Sequence, residues 1–342
     1  DWSEWLGTML VEGSDRGLSL VESNRYLAES IPPVAWFRMP AIRGDILTAD
    51  GAPLATTKQA QNLVATWPPI EVAPTKEDAL NWMRDRFSKA GQWLGRELVI
   101  DEADLDSRYA YRRFLPVTVA EDLTPEQIRA IPKSQLPNWG FHLQGYPMRV
   151  YPQGDTAAHI IGYLSRKQGR ATGKFKADEV IYEDYEGGAG LERIFDEELK
   201  GNEGKITIKT TPDGFTQKLY INEPSNVGLN VRTTLDSRLQ AICEKHIESK
   251  HTASVVIINP NNGDVLAMAS RPTFNPNDFL PSLDPELWKA LTTPKRSPLT
   301  NRAIAQHNPP GSVFKVLTAL ASMRAGIFTP SLTYNCPGYV QA

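Results

Sequence analysis

The chain has 342 residues, a length that suggests about two domains. With 41% hydrophobic and 23% charged residues it has the make-up of folded protein, not of a disordered tail or a collagen-like rod. Lys plus Arg number 37 against 40 Asp plus Glu, so no basic excess points to nucleic acid, and two cysteines, Cys243 and Cys336, exclude a disulfide-dense scaffold. Proline, at 26 residues, is over-represented, which favours loops and extended segments over a helical bundle. No apolar run approaches the ~18 residues of a membrane span. The opening Asp1-Trp2-Ser3-Glu4 lacks an initiator Met and a basic leader, and the close at Gly338 to Ala342 has no terminal element. The expectation is a fragment of a longer protein.

Apolar residues recur at helical spacing from about residue 7 to 30, after which Pro32, Pro33 and Pro40 force an extended path. Arg43 to Ala55 reads as strand, Asp50-Gly51 turn, strand. Residues 75–93 read as a helix with Trp82, Met83 and Phe87 on one face. Thr124-Pro125-Glu126-Gln127 opens another, with Thr124 as N-cap, Pro125 in the first position and Gln127 closing a capping box. The polar, aperiodic stretch 165–188 suits an inserted surface loop, and a helix from about Gly190 to Lys200 is stopped by Gly201. Leu229 to Thr233 alternates like a strand. Thr234 to Lys250 predicts an amphipathic helix with Leu235, Leu239, Ile242, Cys243, His246 and Ile247 on its stripe. Residues 253–269 predict a hairpin whose first strand is buried on both faces, and a Pro-rich loop runs from Arg271 to about Pro298. Ser312 to Ala325 is an apolar helix introduced by Asn308-Pro309-Pro310-Gly311 and stopped by Gly326. The domain boundary falls near residue 228, giving 1–227 and 228–342.

One constellation carries chemistry. Pro310 and Gly311 break the chain, so Ser312 falls in the first turn of its helix, where unpaired N–H groups favour an alkoxide or a developing oxyanion. Lys315, at i+3, lies within side-chain reach on the same face. A lysine can take the serine proton only if it is partly neutral, which burial or a second cation brings about. A bare Ser-x-x-Lys is expected about once by chance in a chain this long, and a capping serine followed by a solvated lysine has the same spacing. The apolar neighbours Val313, Phe314, Val316, Leu317, Leu320 and Ala321 predict a buried helix packed on the hairpin sheet upstream.

Asn308-Pro309-Pro310-Gly311-Ser312-Val313-Phe314-Lys315 resembles the active-serine motif of the class B penicillin-binding proteins. The resemblance extends to Glu22-Ser23-Asn24-Arg25, to Arg43-Gly44-Asp45-Ile46, and to Asp50 through Ala55. It continues in Arg149-Val150-Tyr151-Pro152, His159 to Tyr163, Gly190-Leu191-Glu192 and Gly201 to Gly204, then in Thr233 to Gln240 and Ile258 to Ala269. The double proline, the 165–188 insert and Cys336-Pro337-Gly338-Tyr339 resemble elongation-type members more than the division paralogue. The resemblance implies an α+β fold: an elongated N-terminal pedestal, then the N-terminal part of a transpeptidase domain, an antiparallel sheet flanked by helices.

It also implies a D,D-transpeptidase that cross-links peptidoglycan stem peptides, acts in cell-wall elongation and shape, and is acylated by β-lactams. Ser312 is then the nucleophile, Lys315 the general base, and the Ser312 N–H one oxyanion donor; for related enzymes the identity of the base is disputed. A single inner-membrane anchor before Asp1, an extracytoplasmic catalytic part and a membrane glycan polymerase docked on the pedestal are further implications. No cofactor is implied, although zinc beyond the serine in some relatives makes Cys336 a candidate ligand. Residues 316–342 depart from the pattern: they hold neither Ser-x-Asn nor Lys-Ser/Thr-Gly, and no lysine, histidine or carboxylate side chain. The chain as it stands therefore carries a nucleophile without a complete site. The alternative reading is a non-catalytic pedestal that docks on the polymerase. Cys243 is expected in the core and His159 in a structural role, with Arg43 and Arg149 in structural ion pairs.

Overall fold

The computed structural model describes residues 34–39, 41–136, 139–167, 179–180, 184–211, 216–281, 283–293, 297–307 and 309–333. The expected helix at about 7–30, most of the 165–188 insert, Asn308 and Cys336 lie outside them. In chain order the first strands are β1 (Val34–Met39), β2 (Ile46–Leu47), β3 (Pro53–Ala65), β4 (Val117–Ala120), β5 (Phe141–Val150), β6 (Leu164–Arg166) and β7 (Glu179–Val180). They are followed by β8 (Tyr185–Gly187), β9 (Gly204–Thr210), β10 (Thr216–Glu223), β11 (Val231–Arg232), β12 (Ala253–Ile258) and β13 (Val265–Arg271).

These strands make two main sheets and two two-stranded pairs, β6–β8 and the β12–β13 hairpin. One sheet runs β10-β9-β1-β7. Along β1, Ala35, Phe37 and Met39 point to the core while Val34 and Trp36 face out, the period of a half-buried strand. The other sheet runs β11-β2-β3-β4, with β5 paired along β3 from Thr56↔Val150 to Ala65↔Phe141. The strand–turn–strand read at 43–55 is present: β2 pairs β3, and the Ala52 N–H donates to Thr48 Oγ1 at 2.8 Å across the turn. The length of β3, the whole of β5 and the β9–β10 hairpin were not read from the sequence.

Helix α1 (Lys76–Leu94) follows the expected 75–93 helix, opened by a Thr75–Asp78 capping box and ended by Gly95 at φ +66°. Met83 and Phe87 are buried against Leu63, Val117 and Phe141, each burial contributing about 1.5–3 kcal/mol. Trp82 is half-buried beneath the Arg86 guanidinium, 3.6 Å from the ring centroid. Helix α2 (Glu102–Tyr111) is capped by Asp101, and α3 (Pro125–Ala130) has the predicted Thr124–Gln127 capping box. After α4 (Ala158–Ile161), the single helix expected at 190–200 is two short ones, α5 (Gly190–Ile194) and α6 (Asp196–Lys200), broken at Phe195.

Helix α7 (Ser237–Ile247) starts three residues later than expected because the Asp236 carboxylate caps the N–H groups of Arg238 and Leu239. Its buried side is Gln240, Cys243 and Ile247, whereas Ile242 and His246 are exposed. The 253–269 hairpin forms as β12–β13, but β12 alternates half-buried and exposed residues, with Val256 and Ile258 outward. Burial on both faces does not occur: Val255 and Ile257 join the core with α7, while Val256 and Ile258 stay exposed. The expected loop 271–298 contains a 3-10 turn at Pro276–Phe279 and helix α8 (Pro285–Thr292), each with proline in its first turn, a position that needs no N–H. Helices α9 (Arg302–Ala305) and α10 (Phe314–Arg324) complete the described chain.

Candidate functional site

The serine turn is built by backbone geometry. Gly311 adopts φ +56°, which turns the chain from Pro310 into a 3-10 turn at Gly311–Val313 that runs directly into α10. Ser312 sits in that turn and Lys315 in the first turn of α10, as the spacing predicts. Among the described residues neither side chain has a hydrogen-bond or ion-pair partner.

The expected burial of this helix is not observed. Ser312 and Lys315 are exposed, and so are Val313 (77%), Phe314 (52%), Val316 (63%), Leu317 (58%) and Leu320 (57%). The hairpin sheet takes α7 and α9 instead, and no residue of α10 is buried against it. Apolar neighbours identify a helix suited to an interior, but the described residues put nothing over it. Desolvation of Lys315 is therefore not supplied here.

The other sequence candidates sort as follows. Cys243 is buried in the α7–hairpin core, and burial pushes its thiol up from the ordinary value. His159 is half-buried, its Nε2 2.7 Å from the Pro298 carbonyl and its ring edge-on to Phe274, a packing role as expected. Among the described residues no group of three or more His, Cys, Asp or Glu is placed to hold a metal, and no helix is long and apolar enough to cross a membrane.

Arg43 and Arg149 converge on one buried carboxylate, Glu192, from the start of α5. Arg43 Nε donates to Glu192 Oε2 at 2.7 Å and Arg149 Nε to Oε1 at 2.8 Å, with the Tyr151 hydroxyl donating to Oε1 at 3.2 Å. Arg149 Nη1 also donates to the Gly44 carbonyl at 2.6 Å, and Arg43 pairs with Asp196 at 2.8 Å. Burial and the neighbouring Glu192 carboxylate push the Tyr151 hydroxyl well above its ordinary range. Both arginines were legible; Glu192 was seen as part of a motif, without its central place.

Around this cluster three backbone segments cross closely. The Gly44 N–H donates to the Leu199 carbonyl at 2.9 Å, the Gly228 N–H to Ile42 at 2.9 Å, and the Leu229 N–H to Glu198 at 2.8 Å. A Cβ on Gly228 would stand 1.7 Å from the Leu199 oxygen, so only glycine allows the crossing. From this knot the chain grips the serine-bearing part through polar bonds. Asn277 accepts from the Tyr151 N–H and donates to its carbonyl, each at 2.9 Å; Glu244 accepts from the Ala157 N–H at 2.7 Å; Arg271 meets Asp155 at 3.2 Å.

A pedestal of two sheets closed by a buried Arg–Glu–Arg cluster, leading to a Ser-x-x-Lys turn, has close counterparts. The family model for the penicillin-binding protein dimerisation domain matches residues 38–233, and that for the penicillin-binding protein transpeptidase domain matches 253–342. The chain belongs to the penicillin-binding proteins. It is 28% identical over 310 residues to the peptidoglycan D,D-transpeptidase MrdA of Escherichia coli K12, covering 87% of this chain and 46% of that protein. The chain thus spans about half the length of the curated relatives it matches. Its fold is similar to penicillin-binding protein PBP2 of Helicobacter pylori solved with MreC: TM-score 0.66, 18% identity, 90% of this chain and 56% of that one. A chain of a peptidoglycan synthase complex, described as coordinating polymerization and crosslinking, matches at TM-score 0.62 and 26% identity, over 92% of this chain and 52% of its own.

Proposed function

We propose that the whole protein is a D,D-transpeptidase that cross-links peptidoglycan stem peptides during cell-wall elongation. The observation that carries this is the Ser312–Lys315 turn at the head of an apolar helix, inside the stretch matched by the transpeptidase model. Ser312 Oγ attacks the penultimate D-Ala carbonyl while Lys315 takes its proton, and the terminal D-Ala leaves. The tetrahedral oxygen accepts from the Ser312 N–H at the open start of the helix. An amine from a second stem then takes the acyl group and frees the serine. This chemistry runs on protein groups alone, without metal or cofactor. β-Lactams acylate the same oxygen.

The proposed division of labour places a pedestal in residues 1–227 and the catalytic part from 228 onward. The pedestal docks on a membrane glycan polymerase, and an anchor outside these 342 residues holds the protein at the inner membrane with its catalytic part outside the cytoplasm. Similarity to MrdA and to a peptidoglycan synthase complex supports this reading. The exposure of Ser312 and Lys315 favours a second statement about the chain as it stands. Alone it acts as the pedestal and acylates slowly or not at all, because no described group desolvates Lys315 or provides the second oxyanion donor.

Labelling the natural protein in its own membranes with a fluorescent penicillin, then mapping the adduct by mass spectrometry, tests the proposal. The expected adduct is on the peptide holding Ser312 and is absent in Ser312→Ala. A labelled serine elsewhere, or no label, would sink the catalytic reading.

A further inference from the structure

The sheet β10-β9-β1-β7 turns one face to the core and leaves the other open. Residues opposite each other in an antiparallel pair share a face. The register sets Trp36 beside Thr207 and Thr207 beside Tyr220, with Val34 beside Lys209 and Arg38 beside Lys205 in the neighbouring rows. The alternate residues Ala35, Phe37, Ile206 and Ile208 are buried on the opposite face. Trp36 is 48% exposed and Tyr220 36%. Their backbones lie two strand spacings apart, about 9–10 Å. Thr207, between them, is buried, and its Oγ1 accepts from Asn222 Nδ2 at 2.9 Å, so the exposed surface at this row belongs to the two rings.

Two of the three bases on this face are already paired. Arg38 meets Glu203 at 2.9 Å and Lys205 meets Glu223 at 3.4 Å. Lys209 is exposed, has no carboxylate partner among the described residues, and holds its Nζ 5.4 Å from the centre of the Tyr220 ring. Val34, also exposed, lies alongside it. Two amphipathic rings, an aliphatic group and one available cation thus stand on one surface. Trp and Tyr carry a polar tip on an apolar body, and Lys a charged head on an apolar stem. Such side chains settle at the boundary between acyl chains and lipid headgroups.

We propose that this open face seats the pedestal on the bilayer surface, with the Trp36 and Tyr220 rings at headgroup depth and the Lys209 ammonium on a lipid phosphate. The inference rests on the membrane-anchored reading above and not on the serine chemistry. An open sheet face suits a broad lipid surface, whereas small ligands take concave sites. β1 is the first described strand beyond the end at which the proposed anchor joins. Three or four side chains bury little area and bind a bilayer weakly on their own. An anchor holds them at high effective concentration, where a weak contact is enough to set the tilt of the pedestal.

The test tethers the full chain by an N-terminal hexahistidine to vesicles of phosphatidylcholine and phosphatidylglycerol that contain a nickel-chelating lipid. Trp2→Phe and Trp5→Phe remove the two indoles beside the tether, and brominated phosphatidylcholine then quenches any tryptophan at the bilayer surface. Part of the emission is expected to be quenched. That part should vanish in Trp36→Phe, fall at least threefold in Tyr220→Ala and in Lys209→Glu, and persist in Trp288→Phe. Circular dichroism melts confirm that each variant is folded. Quenching that survives Trp36→Phe, or none at all, would overturn this face as the seat, and an unaffected Lys209→Glu chain would overturn the phosphate contact. Sedimentation with isolated peptidoglycan that requires Trp36, without lipid quenching, would put a glycan on this face and overturn the bilayer. The tether brings the chain to the membrane whatever its natural anchor, so failure here is separate from failure of the penicillin labelling.

Discussion

Replacing Glu192 by glutamine probes the pedestal at its most loaded point. The carboxylate is fully buried and accepts from Arg43, Arg149 and Tyr151, while the two arginine side chains are only 9% and 2% exposed. The amide keeps the shape but loses the charge, and its NH₂ group is set against guanidinium donors. Arg43 retains Asp196, but Arg149 is left with the Gly44 carbonyl and no anion. Removing one partner of a buried ion pair costs about 3–5 kcal/mol, because the remaining charge stays desolvated. At about 2–4 °C per kcal/mol for a unit of this size, the melting temperature should fall by about 6–20 °C. The fall should be nearly the same at low and high salt, since a buried pair is poorly screened. Thermal melts followed by circular dichroism at pH 7 read it. The double variant Arg149→Met with Glu192→Met should lose less than Glu192→Gln alone, because it removes the stranded charge as well as the attraction. A shift of under about 1 kcal/mol for Glu192→Gln would refute the cluster as what holds the pedestal together.

Gly228→Ala forces a Cβ to 1.7 Å from the Leu199 carbonyl oxygen, and neither backbone can yield; a loss of about 1–3 kcal/mol or more in urea unfolding is expected, against near-neutrality for Gly263→Ala if open space were all that mattered. Gly263 has φ +83°, however, so a small loss there from backbone strain serves as the comparison. Asp50 is held at about 2, below its ordinary 3.8, chiefly by the Ser237 hydroxyl and then by Thr48. A folded value below the unfolded one gives stability that is full above the unfolded value and is lost as pH falls through the folded one. The urea midpoints of the parent and of Asp50→Ala should therefore differ at pH 6 and converge near pH 2, and Ser237→Ala should move the loss to higher pH. Asn277→Ala removes both bonds to the Tyr151 backbone and should cost about 1–3 kcal/mol, read as faster amide exchange at Tyr151.

Local rules carried the elements whose signals are local. The Thr124–Gln127 capping box, the turn between β2 and β3, and the helix read at 75–93 all depend on groups within a few residues, so the residues name them. What escaped is set by distant partners. β5 reads as a mixed stretch with Gly145 and Pro147, yet it forms because β3 offers it ten paired positions. The break at Phe195 was hidden because α5 and α6 each answer to a different long-range demand, Glu192 to two arginines and Asp196 to Arg43. The serine turn was legible from Gly311 and the Ser-x-x-Lys spacing. The exposure of Lys315 was not, because an apolar sequence says that a helix suits an interior and not what will cover it.

The seam between the pedestal and the serine-bearing part shows why long-range placement matters for the proposed chemistry. Asn277 grips both backbone groups of Tyr151, Glu244 holds the Ala157 N–H, and the Tyr185 hydroxyl donates to the Pro281 carbonyl at 3.0 Å. Backbone-directed bonds of this kind fix orientation more than they add affinity, because each is satisfied at one angle and distance. Tyr151 is also bonded to Glu192, so the residue that seats Asn277 is itself seated by the Arg43–Glu192–Arg149 cluster. A pedestal ordered around a buried charge cluster thus sets where the loop at 271–281 lies. Through Ser270, whose Oγ accepts from the Arg302 N–H at 3.0 Å, that order continues into α9, the last helix before the serine turn. Loss of Glu192 should therefore loosen the seam as well as the pedestal, so amide exchange at Tyr151 and Arg302 should quicken together in Glu192→Gln. Quickening at Tyr151 alone would mean that the two parts are joined without being coupled.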